Sequence, residues 1–243
     1  TPAIAKRVKA QGADVLVTVD NGIASLDGVR AARELGLQVI VTDHHLPALK
    51  GGEVVVHADC VIVNPNQPGC TFESKSIAGV GVMFYVLLAL RAELRERGVF
   101  TAQTQPKIDA LLPLVALGTV ADVAALIGLN RAFVAKGLIA LRRRDHVGHT
   151  ALMDVARLNG PAEAWHLGFM LGPRINAGGR IGRADLGVRL LLEEDVSEAA
   201  RIAAELDRLN VERRQIEQDA VAQAEGEALA SLGLEDKGAV IVT

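Results

Sequence analysis

Aromatic residues are scarce in this chain: one Trp, one Tyr and five Phe make up 3% of 243 residues. A surface that stacks successive bases is therefore poorly supplied. An excess of positive charge is missing as well. The formal net charge is -3, so any surface that holds anions has to be local, and composition alone does not suggest DNA or RNA. Cysteine is nearly absent. Cys60 and Cys70 are the only two, and their spacing fits no common zinc knuckle; they read as free, buried thiols in a reducing cytoplasm. Long apolar runs are lacking too. The best candidate, Ile77 to Leu90, falls short of the ~18 residues of a membrane span and carries Gly79 and Gly81. It reads as a buried helix in a soluble protein with no membrane contact. No charged-then-apolar leader opens the sequence, so no secretory signal is expected.

Half of the residues are hydrophobic, enough for a substantial core in one large domain or one domain with an appendage. The first third alternates strand and helix: a β-branched run Asp14 to Val19, helical spacing over Ala24 to Leu35 stopped by Gly36, a second run Gln38 to Thr42, and a third, Cys60 to Val63, closed by Asn64-Pro65. That alternation predicts an α/β fold with a parallel sheet. Helical segments follow over Ile77 to Arg97, ended by Gly98, and over Arg131 to Arg143, with Leu111 to Val123 apolar and buried between them. A Gly-rich turn is expected from Gly172 to Gly182. Asp195 and Glu198 then have the spacing of a capping box. They open a helix from roughly Val196 to Leu232, which is either one long strut between domains or two helices broken near Asn210. Thr1 is no initiator Met, the opening residues read as the end of a helix, and Ala239 to Val242 read as a strand just begun. Both ends thus look cut from a longer protein.

The densest chemistry lies in Asp43-His44-His45, at the end of the second strand run, with Asp20 closing the first. In an open parallel sheet ligands bind outside the carboxyl ends of the strands, so these residues share one rim. Adjacent residues leaving a strand point in different directions. One imidazole can bind a metal while the other faces substrate, and the acid can orient a ring. Asp20-Asn21-Gly22 on its own is an ordinary tight turn. Asp122, inside an apolar segment, needs a cation, hydrogen bonds or a helix end; a cap accounts for it as well as a metal does. Carboxylates with one imidazole suit manganese or magnesium better than structural zinc. Such sites often hold two ions and hydrolyse phosphoesters. The stretch Pro173 to Arg180 joins glycines with Arg174, Asn176 and Arg180 ahead of a helix near Ala184. It is a phosphate cradle or a basic surface loop. Arg142-Arg143-Arg144 reads as a solvated helix end, with phosphate tracking as the other view. His57 reads as structural.

Five segments, in order, resemble the DHH phosphoesterase superfamily, and within it the single-strand-specific 5'-to-3' DNA exonucleases. They are Val17 to Gly22, Thr42 to His45, Ser76 to Gly81, Gly118 to Asp122 and Gly172 to Arg180. The resemblance implies Asp20, His44 and Asp122 as metal ligands, Asp43 and His45 as catalytic residues with His45 toward the scissile phosphate, and Arg174, Asn176 and Arg180 on substrate phosphate. It implies Mn2+ or Mg2+ as a two-metal cofactor and single-stranded DNA as partner, with a single-strand-binding protein and a helicase as further candidates. A cytoplasmic role in DNA repair and recombination goes with it. Residues 1–192 would be a DHH-type domain lacking its N-terminal part, 193–234 a long interdomain helix and 235–243 the start of a DHH-associated domain. An aspartate-rich first motif expected of the family is not in the sequence, so weak metal binding and little nuclease activity are expected of this piece alone. A phosphodiesterase for oligonucleotides or cyclic dinucleotides, a pyrophosphatase, or a non-catalytic replication accessory protein are the competing readings.

Overall fold

The computed structural model describes residues 1–180 and 183–231, without the side chains of residues 180 and 229–231. Two compact units divide the chain: Thr1–Arg143 with Ala162–Gly168, and Arg144–Pro161 with the chain from Phe169 onward.

The first unit is built on strand–helix alternation. Helix α1 (Pro2–Ala10) leads into β1 (Val15–Val19), α2 (Leu26–Glu34) and β2 (Gln38–Thr42); a hairpin β3 (Ala48–Lys50) and β4 (Glu53–Val55) then precedes β5 (Val61–Val63). Strands β1, β2 and β5 form a parallel sheet in the order β1-β2-β5, as the apolar runs predict. The hairpin, antiparallel around Gly51-Gly52, reads only as a loop in the sequence. Ala5, Val29, Ala32, Leu37, Val39 and Val41 close a core between α1, α2 and the sheet. The main-chain ladder runs on past the strands: Asp20 N–H donates to Thr42 O (2.9 Å) and Asp43 N–H to Val63 O (3.1 Å). Both acids therefore stand on one C-terminal rim.

Three helices complete that unit's described core: α3 (Gly79–Glu96), α4 (Leu112–Ala121) and α5 (Gly128–Leu141). Four of the seven aromatics gather here. Phe84 and Tyr85 meet Phe133 edge-on at 5.4 and 6.1 Å between ring centroids, and Phe72 meets Tyr85 at 5.5 Å. Such contacts add to burial, whereas Trp165 and Phe169 are exposed. Helix α4 is held on two sides through glycines. A Cβ on Gly118 would lie 2.9 Å from Val80 of α3, and one on Gly137 of α5 would overlap Ala116 and the Leu112 carbonyl. Cys60 and Cys70 are free but only partly buried.

The second unit is helical. It holds α6 (Val147–Val155); after the one-turn α7 (Ala164–His166) of the first unit and a π-helical turn at Leu167–Leu171 come α8 (Gly172–Arg180), α9 (Asp185–Leu192) and α10 (Val196–Ser231). The expected Gly-rich turn is thus a helix over Gly172–Arg180, and one of its glycines serves packing: Gly178 abuts the Arg183 carbonyl, as Gly187 of α9 abuts that of Ile175. Helix α10 runs unbroken through Asn210, over 36 residues or about 54 Å. Ile202, Leu206 and Leu209 are buried, whereas Val211, Ile216 and Val221 are exposed. Half of the expected capping box forms. Glu198 N–H donates to Asp195 Oδ1 (2.7 Å), but Asp195 N–H turns to Glu193 Oε1 (3.0 Å) and the Glu198 carboxylate is held by Arg201. Among the described residues no helix is long and apolar enough to cross a membrane. Residues 235–243, expected to begin a further domain, lie outside the described residues.

His149 on α6 is 4% exposed, and neither ring nitrogen has a hydrogen-bond partner. Burial, helped by neighbouring His146, pushes its pKa from 6.5 down to about 4. The unfolded chain takes up this proton near 6.5 and the folded chain resists it to about 4, so the stability is whole above that window and is lost as pH falls through it. The loss between about pH 7 and about pH 5 is ~2 kcal/mol. Unfolding by urea at the two pH values should show it, and His149→Leu should flatten the difference. On the first unit, Gly137→Ala forces α4 and α5 apart, and thermal unfolding should register a loss of ~1–3 kcal/mol.

Candidate metal centre

Asp43 is 1% exposed yet acts as an acceptor on all sides. Its Oδ1 takes the main-chain N–H groups of His44 (2.8 Å) and His45 (3.1 Å) and pairs with His45 Nδ1 (2.7 Å); its Oδ2 takes Ile23 N–H (2.9 Å). Burial alone would raise its pKa, but the hydrogen bonds from Ile23, His45 and His44 outweigh it and hold the carboxyl below its usual 3.8. An ionised carboxylate here fixes the β1 turn and the tandem histidines together. In return the hydrogen bond that His45 makes to Asp43 raises the pKa of His45 above 6.5. That bond leaves the Nε2 edge of the ring to point away from Asp43.

His44 turns the other way. Its Nε2 lies 3.0 Å from Asp20 Oδ1 and 3.5 Å from Asp122 Oδ2, and Asp20, His44 and His45 bring ligand-type atoms within 4.8 Å of one another. The short distances carry no hydrogen bond: His44 Nε2 is enclosed and without a partner, so its N–H direction misses both oxygens. Burial raises the Asp20 pKa above 3.8, and the Asp122 carboxylate adds to the rise while His44 opposes it. Two carboxylates crowd an imidazole nitrogen that bonds neither. That donor set fits a hard divalent cation, and Asp20, His44 and Asp122 are the residues that would hold it.

Both acids are placed at a local cost. Asp20 sits at φ 63°, a left-handed conformation unusual outside glycine. Its carboxylate rests against Gly79 at the first turn of α3, where a Cβ would overlap Oδ1. The helix N-terminus there favours the anion. Asp122 is the residue that ends α4, so the cap and ligand readings describe the same placement. Val123 follows at φ 57°, its N–H bonded to Val120 O (3.1 Å) and that of Ala124 to Thr119 O (3.2 Å), a Schellman closure that normally recruits glycine.

Sequence reasoning passes over the supports. Asn64 and Asn66, in a stretch that reads only as a strand stop, donate to the His45 carbonyl (3.0 Å) and the His44 carbonyl (2.6 Å). Asn130, fully buried, donates to Ser76 O (2.7 Å) and Ala125 O (2.9 Å), tying the approach to α3 to the loop after Asp122. A buried asparagine is invisible without the fold; Asn64-Pro65-Asn66 is the one available signal. The expected phosphate contacts belong to the second unit. Arg174 gives Nε to Asp207 (2.8 Å) and Nη1 to Met170 O (2.7 Å), Asn176 is exposed on α8, and the Arg180 side chain lies outside the described residues. The cradle is not a turn, because α8 uses its own backbone N–H groups.

The parallel sheet carries Asp20 and the acid-His-His turn on one rim, with Asp122 at the end of α4 reaching the same histidine, and the chain belongs to the DHH family: residues 1–119 match that family's N-terminal domain. Its relatives are more particular. It is 48% identical over 216 residues to the single-stranded-DNA-specific exonuclease RecJ of Haemophilus influenzae, across 88% of this chain and 37% of that protein. A crystal structure of exonuclease RecJ bound to manganese matches with a TM-score of 0.76 at 34% identity, covering 92% of this chain and 54% of the other. RecJ of Thermus thermophilus in complex with Mg2+ matches with a TM-score of 0.60 at 31% identity, over 92% and 35% of the two chains. The chain spans about two fifths of the length of the curated relatives it matches.

Gly79→Ala should push the Asp20 carboxylate off α3 and weaken Mn2+ binding by ~10-fold or more. Titration of the chain with Mn2+, followed by electron paramagnetic resonance, measures this; an unchanged affinity would take Asp20 out of the site.

Proposed function

We propose that this chain is the metal-binding catalytic core of a single-strand-specific DNA exonuclease working from the 5' end. The observation that carries the reading is His44 Nε2, enclosed and unbonded between the Asp20 and Asp122 carboxylates. The likeness to RecJ, whose solved structures are bound to manganese or magnesium, supports the choice of Mn2+ or Mg2+ in a two-metal site and of DNA as substrate. A bound divalent cation supplies hydroxide at neutral pH and offsets charge building on phosphorus.

The protein's own residues bind and orient. Asp20, His44 and Asp122 hold the cation. Asp43 fixes the His45 ring through Nδ1, so that the opposite edge of the imidazole donates to a phosphate oxygen. Asn176 and Arg180 contact the DNA backbone, with Arg174 first surrendering part of its pairing to Asp207. In this reading residues 1–192 form the DHH-type domain and 193–234, of which 232–234 lie outside the described residues, the connecting helix, and the protein acts in cytoplasmic DNA repair and recombination beside a single-strand-binding protein and a helicase.

The test is Mn2+-dependent release of nucleotides from 5'- and 3'-labelled single strands by the full-length polypeptide that carries this sequence. Asp122→Ala should lower the rate by ~10²-fold or more with the fold intact. Wild-type rates in that variant would remove Asp122 from the centre. Preference for short oligonucleotides or cyclic dinucleotides would move the substrate class, and no Mn2+-stimulated release at all would favour an accessory protein.

A further inference from the structure

Resting on that metal reading, we infer that Asn64 and Asn66 are positioning residues that aim the tandem imidazoles by gripping the peptide carbonyls behind them. The two amides act as one bracket. Asn64 is buried and donates Nδ2 to His45 O at 3.0 Å. Asn66 donates Nδ2 to His44 O at 2.6 Å and to Lys75 O at 3.2 Å. Asn64 Oδ1 accepts the Asn66 N–H at 2.7 Å, which locks the pair to each other. Lys75 closes the loop that bears them, donating Nζ to Pro65 O (2.6 Å) and Cys70 O (2.8 Å).

The bracket matters because His44 and His45 lie beyond the end of β2, where the sheet no longer dictates the direction of each peptide. Asp43 takes both N–H groups and the asparagines take both carbonyls. Each histidine is thus pinned on both sides of its backbone, and its ring can leave in one direction only. A second consequence concerns the ligand set. Hard divalent cations accept peptide oxygens readily, and two free carbonyls at this rim would compete with the imidazole. With both oxygens engaged by amide donors, the nitrogen of His44 is what remains to face Asp20 and Asp122. Metal preference and ring direction are therefore set from the segment that follows β5.

The test uses the full-length polypeptide that carries this sequence, with Mn2+ as probe. Asn66→Ala and Asn66→Asp both remove the donors, and Asn64→Ala removes the other arm. Mn2+ affinity should fall by ~10-fold in each, and the imidazole 15N signals of His44 and His45 in the metal-free chain should shift or broaden. Gln67→Ala is the structural control: it removes a hydrogen bond of the same segment, Gln67 Nε2 to Ile62 O (3.1 Å), and lowers the thermal midpoint but leaves Mn2+ affinity near that of the wild type. If Asn64→Ala fails to fold, the two variants at partly exposed Asn66 still decide. Unchanged Mn2+ affinity and imidazole signals in the Asn66 variants, with binding lost in His44→Ala, would overturn the positioning role. Unchanged Mn2+ binding in His44→Ala would overturn the metal reading beneath it.

Discussion

One buried carboxylate organises the centre. Asp43 has almost no contact with solvent, and a buried charge without partners is costly. It stays ionised because three main-chain N–H groups and one imidazole converge on it. Those donors come from two separate stretches of chain, the turn after β1 and the tandem histidines after β2. A single ion thereby sets where the β1 turn sits, which tautomer His45 keeps, and which way His44 leaves the strand. The parallel sheet supplies only the shared rim; the carboxylate turns that rim into a site with fixed directions.

The residues around it are placed against their own preferences. Asp20 and Val123 both hold left-handed backbones, of order 1–3 kcal/mol each for residues with a Cβ. Val123 is 88% exposed, so no burial of its side chain offsets the strain. Asp122 adds a negative charge where the α4 dipole is already negative. Strain and like-charge crowding on both sides of one imidazole are hard to explain as packing, because the core would be easier to build without them. They become intelligible when the position of two oxygens matters more than local stability. Gly118 of α4 itself, Gly137 of α5 and the amide of Asn130 hold α4 in place against that cost.

Much of this is legible in order along the chain. Strand runs bounded by turn residues locate β1, β2 and β5 within a residue or so, and an acid at the end of one strand with a tandem histidine at the end of the next implies a rim. The family resemblance places Asp122 as a third ligand, which residue reasoning alone leaves open between cap and cation; in the fold it ends a helix and faces His44 at once. What fails has a common cause. Gly172 to Gly182 reads as a turn because glycine is usually conformational punctuation, yet at Gly178, inside α8, its value is the missing side chain, which admits the Arg183 carbonyl. Asn210 leaves a break open, but α10 runs through it as the single long helix that the stripe of apolar residues predicts. Asn64, Asn66 and Asn130 act through contacts 19 to 54 residues away in sequence, and no local pattern encodes such a contact.

The charge around the centre constrains how a phosphodiester can arrive. Among the described residues, the groups acting on Asp20 are His44, Asp122, His45 and Asp43, with neither lysine nor arginine among them. Two carboxylates repel an anionic backbone, and a chain with a net charge of -3 gives no broad attraction to offset this. His45 is the one nearby group whose pKa is shifted toward the cationic form, and a single exposed imidazole is a weak counterweight to two acids. On the proposed reading, a phosphodiester at this rim would therefore be held through the divalent cation. The two affinities would then be coupled, and coupling between bound partners is reciprocal: nucleic acid would tighten the metal as much as the metal tightens nucleic acid. Whatever sets the geometry of Asp20, His44 and Asp122, down to the amides behind the histidines, acts on both at once.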